Sequence, residues 1–190
     1  MMKRKFLLSV TALALCAALL AGCGGSSSST ASSAQSTAPA SSADAGSGAR
    51  TAENGTVDLG AIVSQLLETN PISNQFEIAA MNIEYDFGLA AEDVTAYKGV
   101  RSNDNGDAGL VLVIQPAAGK SEAICEQLQT YKQDQVAFYG NYAEFGQAQS
   151  NVENAVISGR DDLVVMVIAS NESTGDISGA VDSVMDQYAQ

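Results

Sequence analysis

Two stretches of this chain leave its fold little freedom. Leu110, Val111, Leu112, Val113 and Ile114 form an unbroken apolar run closed by Pro116, and Leu163 to Ala169 forms a second one rich in β-branched side chains. Successive side chains of a strand point to opposite faces, so a run that is apolar at every position has two faces to bury and belongs in the middle of a sheet. β-Branched residues fit that pleated environment, and helices must then pack on the sheet to cover it.

The flanks of the two runs follow one order. Residues 97–101 read as a strand, residues 102–106 as a turn, and the first apolar run as the strand that completes a hairpin. Ser121 is placed to cap a long helix to about Tyr139, on which Ile124, Leu128, Tyr131, Gln135 and Phe138 trace one stripe with Cys125 beside it. Residues 154–158 then read as a strand, residues 159–162 as a tight turn and the second apolar run as its partner. Ser173 or Thr174 opens a terminal helix bearing Ile177, Val181, Val184, Met185 and Tyr188.

Upstream, residues 57–69 place Leu59, Ile62, Val63, Leu66 and Leu67 on one helical face, with Thr56 or Asp58 as cap and Asn70 and Pro71 as stop. Residues 72–89 mix their periods and predict an extended or irregular connector that covers the sheet edge. Residues 90–96 predict a short helix with Glu92 and Asp93 at its positive end. The fold class that follows is α+β: a four-stranded, mainly antiparallel sheet with helices packed on it, in a β-β-α-β-β-α core preceded by an N-terminal helix. The repeated order suits a duplicated β-β-α motif, and two unrelated hairpins followed by helices would give the same pattern.

The first 22 residues belong to a different chemistry. A basic start, Met1 to Lys5, precedes an almost continuous apolar stretch, Phe6 to Leu20, and Leu20, Ala21 and Gly22 lead into Cys23. Small residues beside the cleaved bond and a thiol at the new N-terminus are what lipoprotein processing needs, because the Cys23 sulfur accepts the diacylglycerol before the cut after Gly22. The apolar run is shorter than the roughly 20 residues of a membrane span. Residues 23–55 hold the lipidated cysteine and a Ser, Ala, Gly and Thr tract that cannot form a core, a flexible tether spanning roughly 30 Å. One globular domain, residues 56–190, remains.

Loss of the signal removes three basic side chains and leaves six against 22 acidic ones. That balance excludes nucleic acid and other polyanions as partners. The chain has no histidine and no tryptophan, and only Cys125 lies in the domain. A histidine-based triad, a disulfide scaffold and a typical zinc site are therefore excluded. Gly119, Lys120 and Ser121 resemble the end of a phosphate loop, yet Ile114 stands where its first glycine should be and Pro116 interrupts the approach. Asn103, Asp104, Asn105, Gly106 and Asp107 resemble part of a calcium loop, but Arg101 and Leu112 occupy the places of its first and last carboxylates, so Asp104 and Asp107 read first as a polar turn. The pairs Glu92 and Asp93, Glu122 and Glu126, and Asp161 and Asp162 read as solvated surface, and no catalytic residue is assigned. Cys125 reads as a small filler beside Ile124. Phe138, Tyr139, Tyr142 and Phe145 gather at the end of the long helix, either as a satellite core or as a binding lip; for the second reading the binding residues are Tyr139, Tyr142 and Phe145. Tyr85, Phe87, Tyr97 and Arg101 raise the same alternative.

Residues 85–88 from Tyr85 to Gly88, then Glu92, Asp93, Val94 and Tyr97, the glutamine- and glutamate-rich helix ending near Phe138, and Asn154, Ala155 and Val156 together resemble the domain-of-unknown-function 4358 family. The resemblance runs from about Thr56 to Tyr188. It implies a lipid-anchored extracytoplasmic protein of Gram-positive, clostridia-like Firmicutes and carries no activity or catalytic residues with it. The expectation is a non-catalytic lipoprotein on the outer face of the cytoplasmic membrane. It would be held in the bilayer through acylated Cys23, have no cofactor, and bind an envelope protein or small ligand. The alternatives are a carboxylate- or divalent-cation-dependent envelope enzyme and a structural envelope-maintenance protein.

Overall fold

The computed structural model describes residues 57–190. The signal sequence, Cys23 and the tether lie outside the described residues. In chain order the elements are α1 (Leu59–Thr69), β1 (Gln75–Glu77), α2 (Ala80–Tyr85), β2 (Val94–Ser102), β3 (Leu110–Pro116), α3 (Ser121–Gly140), α4 (Gly146–Glu153), β4 (Val156–Arg160), β5 (Leu163–Ile168) and α5 (Ile177–Tyr188). Short 3-10 turns at Ala91–Asp93 and Ala143–Phe145 complete the path.

The fold is α+β, with one open sheet in the order β1-β2-β3-β5-β4 and every neighbouring pair antiparallel. The sheet has five strands where four were expected. The two apolar runs are β3 and β5, side by side and flanked on both sides. Register pairs Leu110 with Ile168, Leu112 with Met166 and Ile114 with Val164 on one face, and Val111 with Val167 and Val113 with Val165 on the other. All ten of these side chains are buried. α1 and α5 cover the Val111 and Val113 face through Ile62, Leu66, Val181 and Val184. α2, α3 and α4 cover the Leu112 face through Ile83, Ile124, Leu128 and Val152. At roughly 1.5 to 3 kcal/mol per buried aliphatic side chain, this two-sided burial is the main force holding the sheet.

The opposed helices also bear on the symmetry of the two units. Two β-β-α units joined through antiparallel β3 and β5 could be related only by a twofold axis normal to the sheet, which would put both helices on one face. α3 and α5 lie on opposite faces, so the two units are not equivalent in space.

Several local expectations are corrected. The extended or irregular connector expected over residues 72–89 does cover the sheet edge, as the short strand β1, but it also forms helix α2, which was not expected. All three β1 side chains are exposed, so no alternation marked it, and cross-strand pairs hold it: Arg101 lies over the Phe76 ring with 5.0 Å to the centroid, and Lys98 pairs with Glu77. The helix expected at residues 90–96 shrinks to the Ala91–Asp93 turn, because β2 begins at Val94 and its β-rich sequence is claimed by pairing with β3. Ser121 is not a cap; Lys120 occupies that position without a side-chain bond and its ammonium sits 2.8 Å from Asp93. α5 is capped by Asp176, which accepts from the Gly179 N–H at 3.0 Å, while Ser173 donates instead to the Thr69 carbonyl. α4 had no counterpart in the sequence reading. Asp58 caps α1, accepting from the Ala61 N–H at 3.0 Å. Asn70 does more than stop that helix. Fully buried, it donates to the Ile168 carbonyl at 2.9 Å and accepts from the Ser170 N–H at 2.8 Å, locking the end of α1 to the end of β5. Among the described residues no helix is long and apolar enough to cross a membrane.

Candidate functional site

α3 starts beyond the end of β3 and runs back over the sheet. Its twenty residues span about 30 Å, against roughly 23 Å for the seven of β3. Its N-terminal half buries Ile124 and Leu128 on the sheet, and its C-terminal half arrives at the tip of the β2-β3 hairpin. There the same stripe, Tyr131, Gln135 and Phe138, stops being core and becomes a wall.

The opposite wall is the hairpin tip itself. Between them lies a cleft of about 410 Å³ lined by Arg101, residues 102–110, Tyr131, Gln135, Phe138, Tyr139 and Phe145. Two features singled out separately in the sequence, the polar 103–107 turn and the aromatic end of α3, thus share one cavity. The four rings contact one another in a closed circuit. Phe138 meets Tyr139 at 5.1 Å, Tyr139 meets Phe145 at 6.0 Å, Phe145 meets Tyr142 at 5.4 Å and Tyr142 meets Phe138 at 5.7 Å between centroids. Phe138 and Tyr142 are about half exposed, at 50% and 44%, while Tyr139 and Phe145 are partly buried. The cluster is therefore neither pure core nor pure lip: Tyr139 and Phe145 line the cleft, Phe138 stands at its open side, and Tyr142 supports the rim without lining it.

The turn is held rigidly. Asp107 Oδ1 accepts from the N–H groups of Gly109 and Asn171, each at 3.0 Å, and Asn171 Nδ2 donates to the Gly106 carbonyl at 3.0 Å. Asn151 donates to the Asn171 side chain and accepts from Gln147, so α4 steadies the tip through a chain of amides. Asp104 Oδ1 accepts from Asn74 Nδ2 at 2.9 Å. Gly106 has φ +77°, and an added Cβ would stand 2.9 Å from the Phe145 ring, so glycine is what lets that ring close over the turn.

These bonds give Asp104 and Asp107 work as braces of the loop. Among the described residues no three of His, Cys, Asp or Glu are grouped to hold a metal ion. Arg101 lines the cleft, with its guanidinium held by Asp86 Oδ2 at 2.9 Å and lying over the Phe76 ring. Tyr131 packs at a tilt of 51° against buried Phe87 with 4.6 Å between centroids, and burial pushes its hydroxyl up to about 12 against the opposing pull of Arg101. Burial also raises Tyr139, helped by the charge of Asp107. Both phenols therefore stay neutral donors at ordinary pH. Cys125 lies outside the cleft, close enough to Gly159 that a Cβ there would meet its sulfur at 2.5 Å. Burial, then Glu122, pushes its thiol up, away from the nucleophilic thiolate.

Sequence reasoning missed Gln135 and Tyr131 as cleft residues and the bracing role of Asn171. The available signal was the stripe on α3, which continues past the length that the sheet can cover.

A family model described as domain of unknown function (DUF4358) matches residues 69–169. The match takes in the sheet, α2, α3, α4 and every residue of the cleft, and it ends before α5. No curated protein and no solved structure matches the chain.

Proposed function

The chain belongs to the DUF4358 family, and from that premise we propose that it is a non-catalytic binding protein, carried on the outer face of the cytoplasmic membrane by acylated Cys23, whose ligand site is the cleft between the β2-β3 tip and α3. The observation that carries the reading is the pairing of walls around that cleft: aromatic faces on one side, and on the other backbone and amide groups already braced by their own hydrogen bonds. Rigid, preformed sites lose little ordering entropy on binding.

The chemistry selects the ligand class. Phe138, Tyr139 and Phe145 offer flat apolar contact; Gln135, Asn103, Asn105 and the neutral Tyr139 hydroxyl offer donors and acceptors. Arg101 is already partnered by Asp86, and Asp104 and Asp107 stand in the lining, so the site favours a neutral or cationic polar molecule with one apolar face, such as a sugar ring or an amine, over an anion. No arrangement in the cleft favours the carboxylate enzyme, since its two aspartates are spent on the loop.

The test is calorimetric titration of the full chain with neutral mono- and disaccharides, linear polyamines and dicarboxylates. Saturable heat is expected from one of the first two classes, with at least about tenfold loss in Phe138→Ala, whose ring is half exposed, while circular dichroism checks that the variant stays folded. Silence across the panel, or affinity unchanged by the substitution, sinks the ligand site. In cells, Cys23→Ser is expected to leave the membrane fraction; retention there would remove the anchor from the proposal.

A further inference from the structure

A second concavity borders the same strand β2 as the cleft and shares none of its residues. β1 covers the outer edge of β2 only from Val100 to Ser102, after which the Ile78 N–H reaches the Gly99 carbonyl at 3.0 Å. The chain then leaves the sheet and turns into α2. Among the described residues no strand pairs with the outer edge of β2 before Gly99. Backbone direction alternates along a strand, so with the Gly99 carbonyl pointing outward, the N–H and C=O of Tyr97 point outward too.

Beside this open edge is a groove of about 620 Å³. One wall is α2 with Met81, Glu84 and Tyr85; the other is the start of β2 with Val94 and Tyr97. Met81 is 64% exposed and Tyr85 is 75% exposed, the two most exposed large apolar side chains described. One turn apart on α2, they form a single ridge along the groove. Glu84 and Glu92 also line it, and neither is in an ion pair. The five cations of the described residues are all engaged: Lys98, Arg101, Lys120 and Arg160 in ion pairs, and Lys132 on the Ala155 carbonyl.

We infer that this edge and groove form a strand-addition site for an extended segment of another protein, with apolar side chains at alternate positions and lysine or arginine between or beside them. The open edge of β2 would supply main-chain hydrogen bonds in continuation of β1, and the Met81, Tyr85 and Tyr97 surface would take every second side chain. Charge chooses the partner. Two carboxylates rim the groove, Glu84 with no ion pair and Glu92 feeling only the Lys120 charge that Asp93 already holds, and a second copy of this chain would bring the same two carboxylates against them. Lys98, a side chain that commonly guards strand edges, is already neutralised by Glu77. The inference is independent of the ligand cleft.

The test uses the full chain and three labelled peptides of about nine residues, the length of a short strand: one alternating valine and lysine, one alternating valine and glutamate, and the first with its amides N-methylated along one edge. Fluorescence anisotropy is expected to show saturable binding of the valine-lysine peptide and at least about tenfold weaker binding of the other two. The pair Met81→Ser and Tyr85→Ser, and separately Glu84→Gln with Glu92→Gln, should each weaken binding by a similar factor; all four side chains are exposed, so folding is preserved. Phe138→Ala should leave it unchanged. Absence of binding, equal binding of the N-methylated peptide, or indifference to the Met81 and Tyr85 pair overturns the inference. So does a dimer in sedimentation analysis that the same variants dissociate, because the groove would then serve a second copy.

Discussion

The two β-β-α units of this protein look alike as sequence and behave differently as structure. The second, β4-β5-α5, turns tightly through Asp161 and Asp162 and sends α5 back against α1, where Val181, Val184 and Met185 are spent on the core. The first, β2-β3-α3, has a longer tip braced by Asn74 and Asn171 and a helix of 20 residues against 12, of which only Ile124 and Leu128 are buried. One unit closes the molecule, while the other overshoots it. Surplus length, rather than a special catalytic residue, creates the cleft, because the aromatic end of α3 has no sheet beneath it and meets the hairpin tip instead.

If that division holds, the two helices should be equally structural where they touch the sheet. Leu128→Ala on α3 is expected to cost about 3 kcal/mol and Val184→Ala on α5 about 2 kcal/mol, each from lost burial and the cavity left behind. Urea unfolding of the two variants measures both. A loss below about 1 kcal/mol at either position would show that its layer is not core and would break the symmetry of the comparison.

Tyr131 stands at the boundary, where α3 passes from core to cleft, and its ionisation reports which side it belongs to. Its pKa is pushed up from 10.0 to about 12, with burial as the main cause. Below pH 10 both folded and unfolded chains keep the phenol neutral, so it contributes no pH dependence. Between about pH 10 and 12 the unfolded chain ionises first, and stability should fall by an amount on the order of 2 kcal/mol. Alkaline unfolding of wild type against Tyr131→Phe, followed by circular dichroism, isolates this contribution. Parallel stability curves through that window would place the hydroxyl in solvent and move Tyr131 to the cleft side.

The legible part of this molecule was what burial writes into periodicity. β3 and β5 were readable as central because every position is apolar, and α1 because its apolar residues keep a helical spacing around the Asp58 cap. β1 was illegible because nothing on it is buried, and α4 because eight residues rich in Gly, Gln and Asn bury only Ala148, Asn151 and Val152. The rings of the site stood out by type, yet their partner did not. That the 103–107 turn would face Tyr139 and Phe145 depends on α3 crossing the sheet antiparallel to β3, a tertiary fact with no local signal. Asn171, the brace, sits sixty-five residues from the carbonyl that it holds.

The finest separation of tip from turn comes from two glycines of the first unit. Gly106 and Gly119 have nearly the same backbone, φ +77° and +74°, so alanine at either should cost about 1 kcal/mol for the left-handed conformation alone. They differ in surroundings. A Cβ at Gly119 meets nothing within 4 Å, whereas at Gly106 it stands 2.9 Å from two atoms of the Phe145 ring. Subtracting one variant from the other cancels the backbone term and leaves the contact between hairpin and ring. Gly106→Ala is expected to be the less stable of the two by a few tenths of a kcal/mol, with Phe145 displaced from the turn. The ring displacement should appear as altered near-ultraviolet circular dichroism in Gly106→Ala and not in Gly119→Ala. Equal stability and identical spectra would mean that the ring yields freely, and that the cleft wall is less fixed than its hydrogen bonds suggest.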